Sequence, residues 1–148
     1  MVNLRTDQRQ LCDIQGRLFE LARKNAYDCP SFIRTFMNSQ TAASLDDTYD
    51  RLQWAGEEYI LEELNDEAGG LKQAGILYSN EVMYWSGYVY RYWHYYTGEN
   101  SRTIFRIADA ETMNNCWLGF HTFDVEMAID DLKEIYILKC EADKKLKE

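Results

Sequence analysis

Apolar residues recur along most of this chain at intervals of three and four positions, which is the period of an α-helix. The stripe nearest the start predicts a helix over residues 6–24. Its apolar members are Leu11, Ile14, Leu18 and Leu21. Pro30 follows and suits the first turn of a second, short helix. Toward the other end, a clean stripe between residues 125 and 136 predicts the last helix, with Thr122 or Asp124 as its cap.

A long third helix is expected to begin at Ser39 or Thr41 and to end at the Gly69-Gly70 pair. Its first apolar stripe consists of Leu45, Tyr49, Leu52, Gly56 and Tyr59. Trp54 and Leu61, seven residues apart, form a second apolar line on the same helix. Acidic residues occupy the remaining positions, so the pattern predicts one amphipathic helix with an acidic outer side.

Residues 81–96 read EVMYWSGYVYRYWHYY, and half of them are Tyr or Trp. Ser79 is a good helix cap before this segment and Gly98 is a good stop after it, so we expect a helix. This helix is apolar nearly all round, which is typical of a central helix surrounded by others. Ser86 and Gly87 would let another backbone approach closely. Its tyrosines favour either a core role or a partly exposed aromatic groove.

Shorter helices are expected to begin at Asn100 or Ser101 and at Asp109. The stripes and caps together predict an all-α fold, a single compact domain over residues 1–148 with about six helices around the central aromatic helix. Residues 139–148 are expected to be a frayed, charged tail. A chain of 148 residues is long enough to bury a core without disulfides or a metal ion.

The net charge of −9 argues against direct binding of nucleic acid or of an anionic membrane, since both require a basic surface. The charge is uneven, because residues 41–67 contain nine acids and one base. Within this segment Glu58, Glu62 and Asp66 share one line of the expected helix. Such a line is either a solvated helix face or a docking face for a basic protein partner.

The four cysteines lack CxxC spacing, and no signal peptide precedes them. The longest apolar run is too short and too charged to span a bilayer. We therefore expect a reduced, cytoplasmic protein that does not enter a membrane. The sequence leaves its oligomeric state open.

The two histidines, His94 and His121, do not follow an acid by three positions, as they would in Glu-x-x-His metal sites on helices. No metal and no cofactor is therefore expected. Arg91 and His94 are three residues apart, which suits a site for a small molecule or nucleotide, or a small hydrolase or ribonuclease. The pair resembles the Arg-x4–6-His motif of the all-helical HEPN ribonucleases, but here only two residues separate its members.

Three stretches of the chain, YDRLQWAGEEYILEEL, YWSGYVYRYWHYYTGENS and ADAETMNNCWLGFHTFDVEMAIDDL, resemble a family of small uncharacterised bacterial proteins. The resemblance covers residues 32–132. Such proteins are similar to those encoded beside toxin–antitoxin-type genes, including genes for ADP-ribosyltransferase-like toxins. The resemblance implies no catalytic residues.

Charge and resemblance together favour a non-catalytic, acidic protein-interaction module, such as an antitoxin or an immunity-like neutralising partner. Its partner would be a basic protein, for example a toxin. We expect the line of Glu58, Glu62 and Asp66 to attract that partner. We expect the exposed edges of aromatic side chains to anchor it. These anchors are Tyr88, Tyr92 and Tyr95.

Overall fold

A computed structural model describes residues 2–47 and 50–147, and the chain in these ranges is all-α, as predicted. Its helices are α1 Thr6–Lys24, α2 Cys29–Met37, α3 Gln40–Asp46, α4 Glu57–Ala68, α5 Asn80–Thr97, α6 Ser101–Ile107, α7 Ala110–Phe120 and α8 Val125–Leu146. A short 3-10 helix, Arg51–Trp54, lies between α3 and α4. Among these helices, none is both long enough and apolar enough to cross a membrane.

The expected number of about six helices is wrong, because the described ranges contain eight α-helices. The expected long third helix is divided into α3, the 3-10 helix and α4. Two local signals break it. The Asp50 carboxylate accepts a hydrogen bond from the Leu52 N–H, and Gly56 is extended at the start of α4. Tyr49, expected on the apolar stripe of this helix, lies outside the described residues.

The break allows α4 to fold back on α3. Glu67 of α4 accepts hydrogen bonds from the backbone N–H groups of Gln40 and Thr41 at 2.8 and 2.9 Å. Such N–H groups at the start of a helix have no partner within it. Burial raises the pKa of Glu67, but the hydrogen bonds from Thr41 and Gln40 outweigh burial and lower the pKa below its ordinary value. Glu67 therefore links the two helices.

Side-chain caps begin the later helices where the sequence predicts them. The residue just before each helix is its cap: Ser79 for α5, Asn100 for α6 and Asp109 for α7. Each side-chain oxygen accepts a hydrogen bond from the backbone N–H three residues on. Asp124 caps α8 in a similar way. Gly98 ends α5 with a φ of 81°, in the left-handed region that glycine adopts at low cost.

The aromatic helix α5 runs antiparallel to α1, and two glycines bring their backbones close together. A Cβ atom at Gly87 of α5 would lie 2.5 Å from the carbonyl oxygen of Gln15. A Cβ atom at Gly16 of α1 would lie 2.7 Å from the ring of Tyr84. The close approach expected at Gly87 is therefore confirmed. Because α5 also packs against α6, α7 and α8, the helices form one compact domain around it.

The buried Tyr90 hydroxyl and the buried Trp93 indole of α5 find hydrogen-bond partners on neighbouring segments, whereas the buried Ser86 hydroxyl has no partner among the described residues. Tyr90 is buried and donates to the carbonyl oxygen of Ala108 at 2.6 Å. Trp93 is fully buried and donates from its indole N–H to Glu99 at 2.9 Å. These bonds offset the desolvation of polar groups in the core. One side of α5 is therefore part of the core, while Tyr88, Tyr92 and Tyr95 on the other side are half-buried.

The two halves of α8 differ in burial. Ala128, Ile129 and Leu132 in the first half are fully buried, and this helix packs on α5 and α6. Every residue from 137 to 146 is exposed. The helix continues through residues 139–146, so the charged segment there is helical in the structure.

Replacing Gly87 with Ala should destabilise the protein by roughly 1–3 kcal/mol, because the added methyl group would overlap the backbone of α1. Urea unfolding followed by circular dichroism measures the change. The control is Gly119→Ala in α7, where no atom lies within 4 Å of the added Cβ. That change should be neutral or stabilising, since Ala favours a helix more than Gly by about 1 kcal/mol. Equal effects of the two substitutions would contradict the close approach.

Candidate functional site

The guanidinium of Arg91 lies fully buried at the centre of a hydrogen-bonded cluster. Its Nε donates to Gln15 Oε1 at 2.8 Å, and one terminal nitrogen donates to Asp46 Oδ1 at 2.7 Å. The other terminal nitrogen lies 3.4 Å from the Ser101 hydroxyl oxygen. A buried charge is stable only when it is paired and hydrogen-bonded, and this cluster meets both conditions.

The members of this cluster come from four helices. Gln15 on α1 also donates from its amide nitrogen to the carbonyl oxygen of Gly87 at 2.9 Å, so the α1–α5 contact aims it at Arg91. Asp46 is the last residue of α3 and accepts from the Ser101 N–H at 2.9 Å and the Ser101 hydroxyl at 2.8 Å. Arg91 therefore connects α5 with α1, α3 and α6.

His94 lies one turn after Arg91, at the edge of the cluster. Its Nδ1 is 2.8 Å from the carbonyl oxygen of Glu99 and 3.9 Å from Asp46 Oδ1. A carbonyl oxygen only accepts hydrogen bonds, so Nδ1 carries the hydrogen. In the neutral imidazole, Nε2 is then the acceptor.

A cleft of about 430 Å³ opens beside His94. Polar lining residues include Arg5, Asp7 and Asp46, and the aromatic ones include Trp54 and Tyr95. Arg5 pairs with Asp7 at 3.1 Å, and this hydrogen bond lowers the pKa of Asp7. Burial raises the pKa of Tyr95 to about 12, so its hydroxyl stays protonated at neutral pH.

The structure separates the two residues of the predicted ligand site. His94 lines the cleft, whereas the Arg91 side chain is buried behind it. The guanidinium of Arg91 is already hydrogen-bonded to Gln15 and Asp46. Arg91 thus supports the wall of the cleft without facing its interior. The sequence pattern does not indicate Gln15 or Ser101 as site residues, and it presents Asp46 only as one acid of a charged segment. No local spacing could have paired them, since Asp46 and Arg91 are 45 residues apart.

The predicted acidic line lies on the outer side of α4. Glu58, Glu62 and Asp66 are all exposed, and the opposite side of the helix buries apolar residues. Those residues are Ile60, Leu61 and Leu64. Within the described parts of the chain, no cation lies within 4 Å of the three acids, although Glu57 on the same helix approaches Arg17 at 3.9 Å. In that part of the chain the three acids form no ion pair, and Glu58 lines a cleft together with Arg17, Arg23 and Lys24 of α1.

Two exposed aromatic side chains lie at the start of α4. Trp54, at the end of the 3-10 helix, is 77% exposed, and Tyr59 in the first turn of α4 is 49% exposed. Both line a second cleft of about 530 Å³, together with Arg51 and Glu63. Both were expected on apolar stripes of a single helix, but the chain breaks that helix before Gly56, and both side chains are exposed.

The three tyrosines predicted as anchors lie on α5, away from α4. Tyr88 stacks on Tyr92 with ring centres 6.5 Å apart, and the Tyr92 hydroxyl donates to Glu126 at 2.7 Å. Burial and the bond to Glu126 raise the pKa of Tyr92. Tyr95 borders the cleft beside His94. In the described ranges, no hydrogen bond, ion pair or ring contact joins these tyrosines to the acidic line.

Across residues 2–47 and 50–147, no group of three or more His, Cys, Asp or Glu side chains is arranged to hold a metal ion. The four cysteines are free. Burial raises the pKa of Cys12 to about 12, which disfavours the reactive thiolate.

Comparison with protein-family models, with curated proteins and with solved structures found no match to this chain.

Proposed function

We propose that the protein is a non-catalytic interaction module that binds a basic protein partner through the acidic line of α4. One observation carries the proposal. Three exposed acids that form no ion pair among the described residues lie on α4, which also carries the exposed Tyr59 and follows the exposed Trp54 of the 3-10 helix. Acids four residues apart on a helix repel each other, and a basic partner would relieve that repulsion.

The exposed aromatic side chains near the acidic line suit the anchoring role better than the tyrosines of α5. Trp54 and Tyr59 are large, accessible and close in the chain to Glu58, whereas Tyr92 is half-buried. Aromatic residues often supply most of the binding energy of an interface. Charge would then speed capture of the partner, and aromatic contacts would slow its release.

The finer proposal is that this binding neutralises a toxin, in the manner of an antitoxin or immunity protein. Its support is the resemblance of the sequence to proteins encoded beside toxin–antitoxin-type genes, together with the net charge of −9. A neutralising role requires a binding surface and no catalytic group of its own.

Reversing the acidic line should abolish partner capture while leaving the helices intact. The variant combines Glu58→Lys, Glu62→Lys and Asp66→Lys. Wild-type protein would be used to isolate the partner from the native cell, and the affinity of the purified pair would then be measured by calorimetry. Association with the wild type should also slow as salt is raised, because salt screens exposed charges.

The matched control reverses three exposed acids on other helices, Glu81, Glu111 and Glu141. Its net charge equals that of the first variant, so it tests position and not total charge. Retained binding in the acidic-line variant, or equal loss in both variants, would refute the assignment of α4.

A second candidate function is small-molecule or nucleotide binding in the cleft beside His94. The observation that favours it is the imidazole held through Nδ1, which leaves Nε2 to accept a hydrogen bond in a cleft with aromatic walls. A hydrolase or ribonuclease would use the same nitrogen as a general base.

Incubation of the pure protein with RNA and with nucleotides, with and without magnesium, should give no turnover. The second candidate predicts the opposite result, with turnover that disappears in His94→Ala while the circular dichroism spectrum is unchanged. Such a result would replace the interaction proposal by an enzymatic one. His121→Ala is the control, because His121 is exposed and does not line the cleft.

A further inference from the structure

The second half of α8 carries an exposed apolar stripe. Its members are Ile135, Leu138, Ala142 and Leu146. They follow at intervals of three and four residues, so they lie on one side of the helix. Ile135, Leu138 and Leu146 are 37%, 55% and 86% exposed. Adjacent apolar residues on a projecting helix are a common sign of an interface.

Charged residues border the stripe on both sides. On a helical wheel, Glu134 and Lys145 lie on one flank of the stripe, and Lys139 and Asp143 lie on the other. Along each flank, one end is acidic and the other is basic. The order of the charges is opposite on the two flanks.

This arrangement is complementary to itself when two copies of the helix run antiparallel. In that orientation each flank faces the same flank of the second copy, in reverse order. Glu134 then meets Lys145 of the second copy, and Lys139 meets Asp143 of the second copy. Leu138 faces Ala142 across the two-fold axis. The helix alignment that pairs Glu134 with Lys145 differs from the alignment that pairs Lys139 with Asp143 by less than one helical turn. The long Lys side chains can span this difference.

We propose that α8 pairs antiparallel with α8 of a second copy, so that the protein forms a symmetric dimer. The inference is independent of the proposed function. α8 packs on α5 and α6, whereas α4 packs on α1 and α3, so the dimer contact and the acidic line lie on different elements. Each dimer would then present two acidic lines.

Sedimentation equilibrium of the full chain measures the association directly. The wild type should approach twice the 17.5 kDa mass of one chain as its concentration is raised. Leu138→Asp should weaken dimerisation by about hundredfold or more, because each dimer loses two buried leucines. The control is Ile137→Asp. Ile137 is exposed to a similar degree, 48%, but its position on the helix lies away from the stripe.

A charge exchange tests the antiparallel register. Glu134→Lys alone should weaken the dimer by roughly threefold to tenfold, since each dimer contains the affected pair twice. Adding Lys145→Glu should restore the affinity. These residues are eleven positions apart, about 16 Å along one helix, so they cannot pair within a chain.

Three results would overturn the proposal. They are a wild type that stays monomeric at high concentration, equal effects of Leu138→Asp and Ile137→Asp, and no recovery in the charge-exchanged double variant. If the wild type dimerises but the double variant does not recover its affinity, the stripe pairs in another geometry or binds an unrelated apolar partner. Circular dichroism of each variant checks that helix content is unchanged.

Discussion

The buried guanidinium of Arg91 is the constraint on which the rest of this fold depends. A cation in a protein core is tolerated only if its desolvation is offset by an opposite charge and by hydrogen bonds. Asp46 supplies the charge, and Gln15 and Ser101 complete the hydrogen bonding. Since these groups belong to α1, α3 and α6, satisfying Arg91 requires one residue from each of these three helices to reach α5 at once. The glycine contact between α1 and α5 then allows the backbones to come close enough for Gln15 to reach it.

This inner pairing has a consequence for the surface. Asp46 ends α3, and the chain then turns through the 3-10 helix into α4. The position of Asp46 against Arg91 therefore limits where α4 and its acids can lie. Glu67 adds a second constraint by bonding to the start of α3. The acids of the line, Glu58, Glu62 and Asp66, make no such bonds. Glu58 lies in the first turn of α4, where an acid favours the helix dipole, and the exposure of all three acids is the reason that we propose a binding role for them. The apolar stripe of α8 is likewise separate from the core.

Much of this architecture could be predicted from local patterns. Caps such as Ser79 and Asp109, the stop at Gly98 and the helical stripes act over a few residues, so their signals are contained in short windows. The long third helix could not be divided correctly, because its apolar stripe continues through Leu52 and Tyr59 while the competing cap at Asp50 changes the backbone locally. Arg91 resembled a ligand-binding group for a similar reason. A charge in an aromatic helix suggests a site when its partner, 45 residues away, is unknown.

A double-mutant cycle between Asp46→Ala and Arg91→Met tests the central role of this pair most directly. Free energies of unfolding would be measured in urea, with trimethylamine oxide added equally to all four proteins to keep the variants folded at the start. Each single change should cost about 3–5 kcal/mol, because it leaves the other charge buried without its partner. The double variant should cost less than the sum of the single variants by about 2 kcal/mol or more. Additive costs would contradict the account, since they would mean that the two side chains contribute to the fold independently.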